Sequence, residues 1–401
     1  MDKKQIWNFI HFIRLPLGNE QADMNRITDP DWELMYRLSV KHNMSSLGYE
    51  AARIMQKAGA KIPSELLQKW KLRNDQSTMQ CLYQQAAQEE MADAFDEADV
   101  PVIFLKGAIL REWYPAPELR SMSDIDVLIH EEDAEKARKI MQKLAYTSTD
   151  VESRNEDIYH RDSVVTVEIH RQLFWKKDKW NAYFRGAWDR KELCVINGRN
   201  MYMLGTEDFY LHLLGHLVHH MENGGLGVKA FVDLDIFRKK NSADLCTEKM
   251  QKLLEQFGFV RLEESLERLF SVWNGERGVD EFAEEWTEFI IMSGVYGNTD
   301  NFIIRNPALN SRSSAGGRMQ KLGYVFRRLF PKYEEMCHMY PAVRKKWYMY
   351  PVYWGIRLVR NGLMRHRIIR KEVQKIRSLD REKIRKLNDL YEKIGISGEK
   401  E

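Results

Sequence analysis

Apolar and polar positions recur with two different periods along this chain, and the switch between them divides it. Up to about residue 97 the apolar positions keep helical spacing: Ile6, Phe9, Ile10 and Ile13, then Trp32, Met35, Tyr36 and Leu38, then a segment over 47–55. Residues three or four apart share one face of a helix, so each segment predicts an amphipathic helix with a buried stripe. Asp29, ahead of Pro30, is the predicted N-cap of the second, because proline fits the first helical turn. His42 is predicted to end that helix. Pro63-Ser-Glu opens a long predicted helix to about residue 97, rich in Gln, Glu, Ala and Met, which all form helix readily.

From residue 102 to residue 170 the period shortens to two. An apolar run, Val102 to Leu105, stops at Lys106-Gly107. Ile125, Val127 and Ile129 alternate with Asp124 and Asp126, and Val165, Val167 and Ile169 alternate with Thr166, Glu168 and His170. Successive side chains of a strand point to opposite faces. Asp124 and Asp126 therefore share a face, away from the isoleucines and valine that point into a core, and Glu168 and His170 share another. If these strands are neighbours, three carboxylates meet at one place. Their repulsion calls for a cation, and hard oxygen donors suit Mg²⁺, with Mn²⁺ as the alternative. Further strands are predicted at 147–151 and 158–161. A hairpin is predicted over 194–204, turning at Asn197-Gly198, a pair suited to a tight primed turn. Helices are predicted at 108–113 and 131–144.

Helical spacing returns at Thr206, the predicted cap of a helix that carries His212, His216, His219 and His220 on one face. No glutamate stands in a His-Glu-x-x-His frame and no cysteine is near, so the face reads as a polar wall of a cleft rather than a zinc site. Asn223-Gly-Gly-Leu-Gly lacks phosphate-loop spacing and reads as a turn between helices. Amphipathic helices are predicted over 242–272 and 281–295, a mobile polar loop over 298–317, and helices broken by Pro331, Pro341 and Pro351 thereafter.

Composition narrows the class. Hydrophobic residues make up 44% and charged residues 30%, the mix of a soluble globular protein. Met1-Asp-Lys-Lys-Gln leads into no apolar signal segment, and no apolar run approaches the roughly 18 residues of a membrane span. Cys81, Cys194, Cys246 and Cys337 are scattered without metal-ligand spacing, so a reducing, cytoplasmic location is expected. Charge is uneven. Residues 318–401 hold 22 Lys and Arg against 9 Asp and Glu, a net of +13, so the remainder carries −10 of the total +3. In that basic region Trp347, Tyr348, Tyr350, Tyr353 and Trp354 stand among Arg344, Lys345, Lys346, Arg357 and Arg360. An anionic partner is expected there, RNA or anionic lipid, against the plainer reading of packed aromatics with a solvated basic rim.

The succession of strand, glycine turn, short helix, Asp-x-Asp strand and later acidic strand resembles the nucleotidyltransferase superfamily whose best-known member is DNA polymerase β. Leu105-Lys-Gly, Tyr114-Pro, Arg120 followed by Ser123-Asp-Ile-Asp126, and Val167-Glu-Ile-His170 resemble more closely a bacterial group called the uncharacterised nucleotidyltransferase family. The resemblance implies an α+β fold: a small mixed-sheet nucleotidyltransferase core flanked by N-terminal and C-terminal helical regions. It places the core at 98–205, between a helical region 1–97, a cleft-lining helical region 206–310 and a basic helical region 311–401. It implies catalytic and metal-binding roles for Asp124, Asp126 and Glu168. Nucleotide-binding roles fall to Lys106, Gly107, Arg120, Ser123 and His170. In relatives a helix matching Lys229 to Leu234 closes over the nucleotide, so Lys229 is expected on phosphates with Asp233 holding it. The superfamily has serine after the turn glycine, where it contacts phosphates; here Ala108 stands there, and Lys106 and Arg120 are expected to supply those contacts. The implied reaction moves an NMP from an NTP such as ATP to a hydroxyl-bearing acceptor (small molecule, protein or RNA) and releases pyrophosphate. The alternatives are a non-catalytic nucleotide- or RNA-binding module on the same fold, and an enzyme nucleotidylating a protein side chain.

Overall fold

In a computed structural model the chain is described at residues 1–18, 23–150, 156–174 and 178–294, and beyond these at 297, 330–331, 333, 336–337, 340, 342–343, 346–364 and 381–396. It divides into two compact units, one of Met1–His219 with Leu226–Val295, the other of His220–Gly225 with Tyr296–Glu401. The polar loop expected over 298–317 lies outside the described residues, as do Arg344 and Lys345.

The first unit opens with helices α1 (Lys3–Arg14), α2 (Trp32–Lys41), α3 (Ser45–Lys57) and the long α4 (Ser64–Glu97). Trp70 of α4 is fully buried with Phe9 and Phe12 of α1. Its indole N–H donates to Ser39 Oγ at 2.9 Å, which satisfies the one polar atom that a buried tryptophan carries. The cap expected at Asp29 is instead Asp31, whose carboxylate accepts from Leu34 N–H at 2.9 Å. Asp29 has a left-handed φ of 47° and belongs to the turn before it. His42 does end α2, and it pins distant segments: Nδ1 accepts from Val228 N–H at 3.3 Å and Nε2 donates to the Ile291 carbonyl at 3.1 Å.

The middle of this unit is a seven-stranded mixed sheet. Its strands are β1 (Ile103–Phe104), β2 (Ile125–Leu128), β3 (Thr147–Asp150), β4 (Glu156–Arg161), β5 (Val165–His170), β6 (Glu192–Ile196) and β7 (Arg199–Met203). The spatial order is β3-β4-β5-β2-β1-β7-β6. β2 runs parallel to β5 and antiparallel to β1. Between β1 and β2 comes a short helix α5 (Gly107–Leu110), and α6 (Ala134–Lys143) leads to β3. The β6–β7 hairpin turns at Asn197 and Gly198, with φ of 50° and 78°, as the Asn-Gly pair predicts. β2 was expected to bury only its isoleucine and valine face. All four of its residues are buried, Asp126 included, as β2 is the central strand of the seven and Asp126 bonds Lys106 and His170.

After α7 (Asp178–Phe184) and the hairpin come α8 (Thr206–Glu222), α9 (Val228–Lys240), α10 (Ser242–Leu245), α11 (Glu248–Phe257), α12 (Val260–Trp273) and α13 (Glu281–Ser293). Gly224 and Gly225, with φ of 116° and 108°, make the turn between α8 and α9. Among the described residues no helix is long and apolar enough to cross a membrane.

Candidate active site

The register of β2 on β5 sets Asp126 beside Glu168 and Leu128 beside His170. One parallel pairing therefore brings two of the three expected carboxylates side by side. His170 Nε2 donates to Asp126 Oδ1 at 2.9 Å and stands 3.8 Å from Glu168 Oε2. Donor atoms of Asp126, Glu168 and His170 all lie within 4.8 Å of one another. Asp124 stands at the residue before β2, close enough to raise the Glu168 carboxyl electrostatically.

The charges in this cluster are not balanced. Burial would push the Asp126 carboxyl up, but Lys106 and the hydrogen bond from His170 outweigh it and hold Asp126 well below the usual carboxylate range. Glu168 is pushed up to about 7 by burial and by Asp126 and Asp124. Asp124 is raised by burial and by Asp126. Two acids that resist ionisation beside a third that is ionised form a site short of positive charge. The donor atoms close enough together to share one ion are those of Asp126, Glu168 and His170, with Asp124 outside that group, and carboxylate oxygens of this kind suit Mg²⁺ or Mn²⁺.

Lys106 occupies the turn after β1, which is closed by Ala108 N–H donating to the Leu105 carbonyl at 3.1 Å. Its φ of 40° and ψ of −113° belong to a region that glycine normally fills, so a strained lysine stands beside Asp126. Its Nζ donates to Asp126 Oδ1 at 3.2 Å. Gly107 is required for a different reason. A Cβ there would meet Arg120 Nη1 at 2.5 Å and Met122 Sδ at 3.0 Å, so the guanidinium packs directly beneath the turn.

Arg120 was expected on phosphates, and the structure uses it elsewhere. Its Nε and Nη2 donate to the two oxygens of Asp233 at 2.8 Å each, and Tyr114 Oη donates to the same carboxylate at 2.7 Å. Arg120 Nη1 is buried under Gly107 with no partner among the described residues. Asp233 was expected to hold Lys229. It holds Arg120, and Lys229 Nζ donates to the Ser121 carbonyl at 3.0 Å. The change has a geometric cause. Lys229 and Asp233 are one turn apart on α9, and the planar guanidinium matches both carboxylate oxygens where an ammonium matches one. Lys229 is lowered to about 8 by burial and by Arg120, while Asp233, Asp124 and Asp126 pull the other way.

Other residues place these groups. Gln84 of α4 donates to the Met122 carbonyl at 3.0 Å and Gln88 to the Ala108 carbonyl at 3.3 Å, tying both loops of the site to the long helix. His212 of α8 is buried, and burial with Lys106 nearby drives it well below the usual histidine range. Among the α8 histidines, His212 is close enough to Lys106, Asp126 and His170 to feel their charge, and His216 is close enough to Asp126 to lower its carboxyl. Ser123 is exposed just before β2. Sequence reasoning missed Tyr114 as a partner of Asp233. It also missed Glu156, whose Oε2 lies 3.5 Å from His170 Nδ1 through the β4–β5 register. The alternation of β4 was the available signal for Glu156, but only with the register known.

Two solved structures resemble part of the chain. The antibiotic-resistance factor ANT(2'')-Ia is 12% identical, with a TM-score of 0.34, over 46% of this chain and 97% of its own. An antigenic nucleotidyltransferase-like protein from Paracoccidioides brasiliensis is 13% identical, with a TM-score of 0.30, over 48% of this chain and 92% of its own. No curated protein matches the sequence. The model of a family described as "Uncharacterised nucleotidyltransferase" matches residues 28–273, more than half of the chain and every residue of the site above, and the protein belongs to that family.

Proposed function

We infer that the protein is a metal-dependent nucleotidyltransferase that moves an NMP from an NTP to a hydroxyl-bearing acceptor and releases pyrophosphate. The observation that carries this reading is the placement of Asp126 beside Glu168 on adjacent parallel strands, with Asp124 at the strand entrance and Lys106 and Lys229 around them. A bound divalent cation would neutralise triphosphate charge and favour loss of the acceptor hydroxyl's proton.

The chain's own residues divide the work. Asp126 and Glu168 would hold the cation, with Asp124 beside them at the strand entrance. His170, bonded to Asp126, keeps that carboxylate oriented and ionised. Glu168, raised to about 7 without a cation, would give up its proton as the cation binds and serve as a ligand to it. Lys229 and Lys106 supply phosphate charge; Arg120 positions rather than binds. Burial of this cluster keeps water from screening these charges.

The test incubates the protein with each of four α-labelled NTPs and Mg²⁺ or Mn²⁺ in a lysate, following pyrophosphate and label. Label transfer that EDTA abolishes and Asp124→Asn removes supports the reading. Failure to consume any NTP with either metal, or full activity in Asp124→Asn, removes it. Intact-mass measurement then shows whether the labelled acceptor is a protein. Retention of all three acids favours catalysis over a binding-only role.

A further inference from the structure

We propose that the helix Tyr350–Met364, α14, docks its exposed face on an anionic lipid surface. This feature belongs to the second unit and is independent of the nucleotidyltransferase reading.

The helix is apolar on two sides. One side is packed within its own unit: Trp354 stacks on Phe330 with centroids 5.0 Å apart, Tyr353 lies 5.1 Å from Tyr340, and Tyr350 Oη donates to the Pro331 carbonyl at 2.7 Å. The other side is in solvent. Val352, Ile356 and Val359 are 50%, 49% and 61% exposed, and their spacing of four and three residues puts them on one stripe. Trp347 and Tyr348, in the turn that leads into the helix, are 74% and 60% exposed. Single exposed apolar residues are ordinary; a continuous stripe beside two exposed aromatic rings marks a surface that something covers.

Charge says what covers it. Residues 336–371 contain nine Lys and Arg and no Asp or Glu. Lys346 and Arg360, both exposed, flank the stripe. Aliphatic stripe, interfacial Trp and Tyr, and basic flanks form the pattern of a helix lying in the plane of an anionic bilayer. RNA fits less well, because bases stack on rings and phosphates meet cations, which leaves Val352, Ile356 and Val359 in water. The helix lies on the surface rather than across it, since no described helix is long and apolar enough to span.

The experiment sediments the full chain with vesicles of phosphatidylcholine alone and of phosphatidylcholine with phosphatidylglycerol, at low and high salt. The protein should pellet with the anionic vesicles only, and less at high salt. A triple variant, Val352→Ser with Ile356→Ser and Val359→Ser, keeps every charge and should partition roughly tenfold or more weakly. Its melting temperature should match the parent, since the three side chains are exposed. No pelleting with anionic vesicles overturns the proposal, and so does equal pelleting of the triple variant. RNA retained on filters through the same three residues, without vesicle binding, would assign the face to nucleic acid. Dimerisation lost in the triple variant, again without vesicle binding, would assign it to a second copy.

Discussion

Replacing Asp233 by Asn tests the division of labour at the site. Asp233 is buried and accepts three hydrogen bonds, two at 2.8 Å from Arg120 and one at 2.7 Å from Tyr114. Asparagine keeps the shape but turns one acceptor oxygen into an N–H₂ that faces the guanidinium donors. Arg120, 6% exposed, would then carry an uncompensated charge. Breaking a buried pair in this way costs about 3–5 kcal/mol. At about 2 °C per kcal/mol, the lower end for large domains, the melting temperature should fall by roughly 6–10 °C. Tyr114→Phe removes one bond to a carboxylate and should cost only about 1.5 kcal/mol. Thermal melts followed by circular dichroism give both values, and NTP affinity is measured well below either transition. If Asp233→Asn melts with the parent while NTP affinity rises, Arg120 is free to bind phosphate and the positioning role is wrong.

Asp124→Asn or Glu168→Gln should lower turnover by about 10²–10³-fold, yet leave the metal-free melting temperature equal or higher, because each removes one of three mutually repelling acids; lost stability with intact turnover would contradict the site. Lys229→Met should weaken NTP binding about 10- to 100-fold by removing a charge-assisted contact, whereas unchanged affinity would leave phosphate binding to Lys106 and the turn backbone. Glu168 is raised to about 7 in the folded, metal-free protein. The folded state therefore binds a proton more tightly than the unfolded state, and this group's stabilising contribution, full below the ordinary glutamate range near 4.5, is lost as pH rises through 7. A metal competes with that proton, so Mn²⁺ affinity measured by calorimetry should rise with pH up to about 7 and flatten above it; a flat profile from pH 6 to 8 would mean that Glu168 takes no part in holding the metal.

Much of this protein is decided within short stretches of sequence. Period-two alternation put Glu168 and His170 on one strand face, and β5 has that burial pattern. The Asn197-Gly198 pair specified its turn because few residues adopt a left-handed φ at low cost. The long helix is set by residues that form helix readily, and it runs from Ser64 to Glu97. Local signals work here because backbone geometry decides them within a few residues. Tertiary packing decided the rest. Arg120 and Asp233 are 113 positions apart, and nothing near either one names the other. Asp126 reads as an outward-facing acid, but on this central strand it is buried against Lys106 and His170. Glu156 reaches His170 only through the β4–β5 register, which depends on how the strands align rather than on either strand alone. The kinds of charge needed for chemistry were thus legible along the chain. Their pairing was not, because in a buried site each charge takes the partner whose geometry best replaces water, and only the folded chain brings those partners within reach.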